Sequence, residues 1–579
     1  MLSKPSLILA VTLTVAACST PPADPASRVD EIATEFVDAY YMQFPEEAYE
    51  IGYPDAPGDR YGDHSAAATS AWDTRVDTWL AALDEIDPGM LTGKPQEVTY
   101  EFAHERLAAL VDRRVCRVEL WNISPTWTGW QFLLASTAAI QPVATAEDRR
   151  AALSRASDTA RYLKVEIDNL RRGMDEGYLA PQSNVDRVIG QVTELVESPV
   201  DESPLFVPAT HSDDAAFVEA YRKVYADTVK PAMAAYRDFL ANDYHGRDQI
   251  GVGANPDGAA CYAASVRYWS SISMDAADIH RLGLSEMGRV QSEMLKIAED
   301  DFGTDDLKSL LTDLRTDPKY TFESEQAVLD FVNAAVDRAR VAVHDWFGNV
   351  PDAKVVVIPS PAYEKDSGSG FYSAGSADGS RPATIQVGTY NPAAISKAGM
   401  ESLIFHEGYP GHHLQGSIAL TNTALHPILR YMYVSGAAEG WALYSERLAD
   451  EMGLYSSPVT RIGMLSDRAL RAARLVVDPG MHVLGWTRQQ AIDYMLENTT
   501  QNADAAAAEV DRYAAVPGQA VSYMLGSHAI LRLRKKAEAA LGDRFDIREF
   551  HDRLLADGSV TLPMLEQSID AWIAEQSER

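Results

Sequence analysis

Nearly every long segment of this chain repeats its apolar residues every three or four positions, the period of an α-helix packed by one face. Ala146–Arg172, Asp213–Tyr236, Ala276–Ala298 and Glu325–Trp346 are rich in Ala, Leu, Glu and Arg and keep that spacing. Turn signals such as Asn255-Pro256-Asp257-Gly258 and Asp317-Pro318 punctuate them. Helical patterning resumes at Glu439–Glu451, Pro458–Val477, Thr487–Glu497 and Ala520–Leu541. One interval differs. Lys354-Val355-Val356-Val357-Ile358 is a short β-branched run, a Gly/Ser-rich loop spans 366–381, and Thr384-Ile385-Gln386-Val387 follows. These predict two strands of a small sheet just ahead of the most chemically loaded segment of the chain. The expected fold class is mainly α. At 579 residues, 46% of them hydrophobic, the chain is long enough for several domains or for one large helical body of two lobes.

The N-terminus reads as an export signal over residues 1–17, with Lys4, an apolar stretch from Leu7 to Val15 and the small residues Ala16-Ala17 before Cys18. The pattern resembles a bacterial lipobox, which makes Cys18 the expected lipidation site and 18–28 a Pro/Ala/Ser-rich tether. Membrane contact is then expected only through this anchor, on the periplasmic face, and Ser19 favours the outer membrane by the same resemblance. With 84 Asp+Glu against 51 Lys+Arg the net charge is −33, which repels nucleic acid and speaks against a nucleic-acid partner. Cys116 and Cys261 are the remaining cysteines; an oxidising compartment permits their pairing, and spacing alone does not decide it. Oligomeric state is not legible.

The loaded segment is His406-Glu407-Gly408-Tyr409-Pro410-Gly411-His412-His413. Clustered imidazoles beside a carboxylate provide nitrogen ligands for a divalent ion and a base for the water it activates. On an unbroken helix His412 would stand about 240° around and about 9 Å along from His406, and His413 about 10.5 Å along, too far to share one ion. Pro410 lacks an N–H and its ring clashes with the carbonyl of His406, so the helix should break after Tyr409, with Gly411 permitting unusual backbone angles. Either His412 or His413 can then fold back. Glu439, in Glu439-Gly440-Trp441-Ala442-Leu443-Tyr444-Ser445-Glu446, is the expected third ligand, with Glu446 or Glu401 as substitutes. This is the arrangement of gluzincin peptidases: zinc on His406, His412 and Glu439, and Glu407 as general base. By contrast His104-Glu105 has no second histidine at ligand spacing and reads as a surface pair.

IFHEGYPGHHLQ at Ile404–Gln415, EGWALYSE, RAARLVVDPGMHVLGW at Arg471–Trp486 and PGQAVSYMLG at Pro517–Gly526 resemble the bacterial "domain of unknown function 885" family, from about Val29 to Trp572. That family is grouped with gluzincin-type zinc metallopeptidases. The resemblance implies one domain over 29–579, with a helical N-terminal lobe at about 29–350, a catalytic lobe at 351–579 and a deep cleft. It implies one zinc per chain and short peptides as substrates. Oligopeptidases of that shape place a tyrosine opposite the metal, for which Tyr523 is the first candidate and Tyr513 the second. Arg512 or His482 would bind a substrate carboxylate or assist the oxyanion, Asp478 or Glu446 would orient a ligand histidine, and His413 would face the substrate. Phe371-Tyr372 would line the cleft or anchor the loop. Two rivals remain: a metal-dependent amidase acting on cell-wall or modified amino-acid amides, and a non-catalytic lipoprotein that binds peptide or metal.

Overall fold

The computed structural model describes residues 24–54, 56–360, 370–375, 379 and 381–578. The export signal, Cys18 and half of the Gly/Ser-rich loop lie outside them. The first described helix, Pro25–Gln43, begins inside the segment read as a tether, with Pro25 in the first turn, where a missing N–H costs nothing. Among the described residues no helix is long and apolar enough to cross a membrane.

The chain is mainly α, and the helices end where local chemistry ends them. Ala146–Glu176 starts in a capping box between Thr145 and Asp148 and stops at Gly177, whose φ of 83° suits glycine. The single helix expected over Asp213–Tyr236 is instead Ala215–Val224, a π-turn at Tyr225–Val229 and Lys230–Asn242. Pro231 explains the wide turn, because it cannot bond back to the carbonyl four residues earlier and pushes it aside. Among the described residues the sheet has three strands: β1 (Val355–Pro359), β2 (Phe371–Ser373) and β3 (Ala383–Val387), in the order β1-β3-β2. β1 runs parallel to β3, and β2 antiparallel to it. The two expected strands are therefore adjacent; the third, only three residues long, falls within the Gly/Ser-rich interval.

Seven helices carry or brace the residues of the His-Glu centre: α1 (Ala276–Phe302), α2 (Met400–Glu407), α3 (His412–Thr421), α4 (Ser435–Glu451), α5 (Pro458–His482), α6 (Ala503–Ala515) and α7 (Gln519–Leu541). α1 lies along α5, and α4 along α7. Among the described residues the buried apolar side chains form three clusters, two of which cross the boundary expected near 350. One joins Val29, Phe36 and Phe102 to Ile404, Trp441 and Trp572. A second joins Cys116 and Ile279 to Leu475 and Tyr513, and a third is built within 61–244. Cores that mix the two ends of the chain do so because burying one apolar helix face needs a partner in space, wherever in sequence that partner lies. A disulfide, Cys116–Cys261, ties two segments 145 residues apart within the second core.

Candidate functional site

α2 ends at Glu407, two residues before the break expected from Pro410. The chain passes through Gly408 and a cis Tyr409-Pro410 bond, and α3 starts at His412. Trp441 of α4 pins this turn, its indole N–H donating to the Pro410 carbonyl at 3.0 Å, and the Ser445 hydroxyl donates to the same oxygen at 3.3 Å. Gly411 has a φ of −77°, so its role is space rather than backbone freedom. A Cβ there would fall 1.9 Å from the His406 carbonyl oxygen and 2.5 Å from that of Phe405. Only glycine lets the returning chain press onto the end of α2, and this contact brings the His412 ring against His406, with centroids 4.9 Å apart at 89°.

Glu439 and Glu446 lie seven residues apart on α4, two turns on one face. Glu446 accepts from His406 Nδ1 at 2.7 Å, which leaves Nε2 facing the other way. There, His406 Nε2 and His412 Nε2 both converge on Glu439 Oε2, at 3.4 and 3.3 Å. That oxygen is buried and makes no hydrogen bond. The three donor atoms lie within 4.8 Å of one another. Two ligands held about 2.0–2.1 Å from one tetrahedral ion stand about 3.4 Å apart, so the two separations from Glu439 Oε2 match edges of such a site. Two imidazoles and a carboxylate form the donor set of a zinc centre with one position left open. The residues fit a divalent ion.

The electrostatics agree. Burial opposes a charge on His406, but its contacts with Glu439 and Glu446 and the nearby Glu407 raise it to about 10. Burial pushes the Glu439 carboxyl up, yet the two histidines hold it well below the carboxylate range. Glu446 is also depressed: Arg471 and His406 outweigh its desolvation. The cluster thus favours positive charge at its centre, which a proton on His406 supplies and a metal ion would supply more strongly. Glu407 behaves oppositely: burial, with a contribution from Glu439, raises it against the pull of His406, His412 and Arg471. It occupies the last position of α2 with no hydrogen-bond or ion-pair partner among the described residues.

The remaining candidates fall into two groups. Tyr523 lies on α7, where Glu439 helps burial raise its hydroxyl, and that hydroxyl accepts a 3.4 Å contact from Gln519, leaving its proton free. Glu446 orients His406, as expected of an orienting carboxylate. Asp478 does not. It accepts from Tyr262 and from the Gly518 N–H, at 2.8 and 3.2 Å, and braces the start of α7. His482 has both ring nitrogens committed, accepting from the Val252 N–H and contacting the Tyr513 carbonyl, so it cannot serve a substrate. His413 is fully buried and turned to the Ala353 carbonyl and the Tyr409 and Tyr372 hydroxyls, away from His406; it tethers α3 to the strands rather than facing a ligand. Tyr513 donates to Glu509 at 2.5 Å and so cannot also donate to an oxyanion. Arg512 is clamped by Glu509 and Gln519. Glu401 pairs with Arg338 and caps the Ser456 N–H, which removes it as a substitute ligand. His104 pairs with Asp84 at the surface, as read.

Three residues near the centre went unread: Arg471 beside Glu446, Arg474 over the Tyr523 ring, and Tyr433. A signal existed for the arginines. Arg468, Arg471 and Arg474 recur every three residues in an otherwise apolar stretch of α5, marking a buried face that carries charge.

Comparison with known proteins adds a family and a fold. The family model described as "Bacterial protein of unknown function (DUF885)" matches residues 45–569. A Colwellia psychrerythraea protein whose crystal structure is described as that of a "putative lipoprotein" has a TM-score of 0.87 at 23% identity, covering 95% of this chain and all (100%) of its own. A Shewanella oneidensis protein described as a "putative lipoprotein of unknown function" has a TM-score of 0.71 at 19% identity, covering 93% and 99%. No curated protein matches.

Proposed function

The chain belongs to the DUF885 family of bacterial proteins, and from the geometry of its His-Glu centre we propose that it is a zinc-dependent hydrolase of peptide bonds in short peptides. The observation that carries the reading is the convergence of His406 Nε2 and His412 Nε2 on one unpartnered oxygen of Glu439, with Glu407 free beside them. His406, His412 and Glu439 would hold the ion, one per chain. Bound there, a divalent ion supplies Lewis acidity that polarises a carbonyl and acidifies a water. Glu407 takes the proton from the attacking water and returns it to the leaving amine; burial, by raising its affinity for protons, suits it to both halves of that transfer. Tyr523 donates its hydroxyl hydrogen to the carbonyl oxygen as charge develops. Glu446 fixes the His406 ring so that Nε2 faces the centre.

We place the protein in the bacterial envelope, anchored through Cys18 at the periplasmic face and, by its Ser19, in the outer membrane. The lipobox pattern supports this, as do the lipoprotein descriptions of its structural neighbours.

Elemental analysis of the purified protein tests the centre. About one zinc per chain is expected, lost on chelation together with hydrolysis of short peptides and recovered on adding zinc. Glu407→Gln should keep the metal and lose about 10²–10⁴-fold in kcat. Retained metal with unchanged turnover would remove Glu407 from the mechanism. Turnover of muropeptides or modified amino-acid amides, with none of peptides, would favour the amidase. Metal without turnover of any amide would leave a binding protein.

A further inference from the structure

Against the Tyr523 ring lies a charge imbalance that hydrolysis itself does not require. Arg474 of α5 and Arg512 of α6 share one carboxylate. Arg474 Nη2 donates to Glu509 Oε2 at 2.9 Å, and Arg512 donates to both Glu509 oxygens at 3.1 Å. Among the described residues no second carboxylate pairs with either guanidinium, so two positive charges meet one negative charge. Both are buried, Arg474 with 7% of its surface exposed and Arg512 with 9%. A buried cation without a full countercharge is costly, and an anion arriving from outside relieves that cost.

Arg474 is the one with capacity left. Its Nε donates to the Tyr513 hydroxyl at 3.0 Å and its Nη2 to Glu509, while Nη1 is buried with no hydrogen-bond partner. The guanidinium carbon lies 4.7 Å above the Tyr523 ring. Tyr523 in turn stands within the field of Glu439, where α4 and α7 touch through bare backbone at Gly440 and Gly526. Tyr433, on whose hydroxyl Glu439 and Tyr523 both act, keeps 52% of its surface exposed. Glu509 and Tyr513 fix the guanidinium, so little freedom is lost when it takes a ligand.

We propose that Arg474 receives the terminal carboxylate of a peptide substrate, so that the enzyme reads short peptides from the carboxyl end. This rests on the hydrolytic reading of the His-Glu centre. That reading specifies no end of the peptide; a free donor on a buried, undercompensated cation beside Tyr523 selects the anionic one.

The test compares peptides of one sequence carrying either a free carboxylate or a terminal amide, with the zinc-loaded protein. The free acid is expected to have a kcat/KM higher by about tenfold or more, the worth of a hydrogen bond to a charged group. Arg474→Lys, with Arg474→Met as a second variant, should bring the acid-to-amide ratio of kcat/KM down towards one, whatever either does to the common rate through Tyr523; melting curves and zinc content identify a variant that has merely lost its fold. Calorimetry on Glu407→Gln repeats the comparison without turnover, and the acid should bind more tightly by a similar factor. Equal cleavage and equal binding of acid and amide would overturn the proposal and leave the hydrolytic reading intact. An amide peptide rescued by an Asp or Glu side chain would overturn the terminal assignment. Failure of the hydrolytic reading shows separately, as absent zinc and no cleavage of either peptide, and the calorimetric arm still decides whether the carboxylate is read.

Discussion

At the residue scale the centre depends on which nitrogen of His406 points where. Glu446 settles that by holding Nδ1 at 2.7 Å from a carboxylate that is 1% exposed. Removing the charge but keeping the shape separates orientation from ligation, because Glu446 touches His406 on the side away from Glu439. Glu446→Gln is expected to weaken metal affinity by about 10–100-fold while leaving the fold in place. Competition with a chelator of known affinity checks this. Affinity equal to the parent protein's would show that the ring needs no such support. The carboxylate pair was partly legible: Glu439 and Glu446 are visible in sequence at helical spacing, and both were candidates. Which one faced Nε2 was not legible, because that depends on the rotation of α4 against α2. Arg474 escaped notice for a similar reason. Its partners, Glu509, Tyr513 and Tyr523, lie on other helices, and no spacing along α5 announces them.

At the element scale the site hangs on two close approaches, each made by glycine. The break between α2 and α3 was readable because proline's missing donor is a local property; its position lies two residues earlier because Gly408, at φ −101° and ψ −120°, leaves the helix before Pro410 is reached. The crossing of α4 over α7 was not readable, since a glycine in a helical stretch looks the same whether or not another backbone lies against it. A Cβ on Gly526 would stand 1.8 Å from the Gly436 carbonyl oxygen and 2.7 Å from the Gly440 Cα. Backbone cannot swing aside as a side chain can, so the helices must separate. Gly526→Ala is expected to cost about 3 kcal/mol, the upper end for overpacking, and to move Tyr523 away from Glu439. Gly190, within the helix Gln182–Glu197, has nothing within 4 Å of the same built atom. There alanine should stabilise by about 0.5–1 kcal/mol through helix propensity. Denaturant titration of the two variants provides the comparison. Two shifts of the same sign would mean that the crossing is looser than this packing requires.

At the scale of the whole molecule two effects of pH oppose each other. The chain carries a net charge of −33, and as carboxylates protonate its self-repulsion falls, which alone would favour the compact state in mild acid. His551 works against this. It is fully buried in the first core, stacked on Phe347, with Nδ1 against the Trp346 carbonyl at 2.9 Å and Nε2 against the Tyr444 hydroxyl at 2.8 Å. Burial, reinforced by the nearby Arg534 guanidinium, pushes it down to about 3 from an ordinary value of 6.5. Above 6.5 the ring is neutral in both folded and unfolded chains and contributes no pH dependence. Between 6.5 and about 3 the unfolded chain binds a proton that the folded chain refuses, so stability falls as pH falls, by up to about 1.4 kcal/mol per unit. Surface repulsion is spread over many screened charges, each worth a fraction of that. The buried His551 ring should therefore outweigh surface repulsion near pH 5, and His413, which burial pushes down to about 4, acts in the same direction. Unfolding free energies of the parent and of His551→Gln, measured from pH 7 to pH 4.5, isolate its share. The gap between them should narrow steadily as pH falls, because only the parent loses stability through this group. A gap that stayed constant would mean that the folded protein admits the proton, and that the Tyr444–His551–Trp346 contact opens well above pH 4.5.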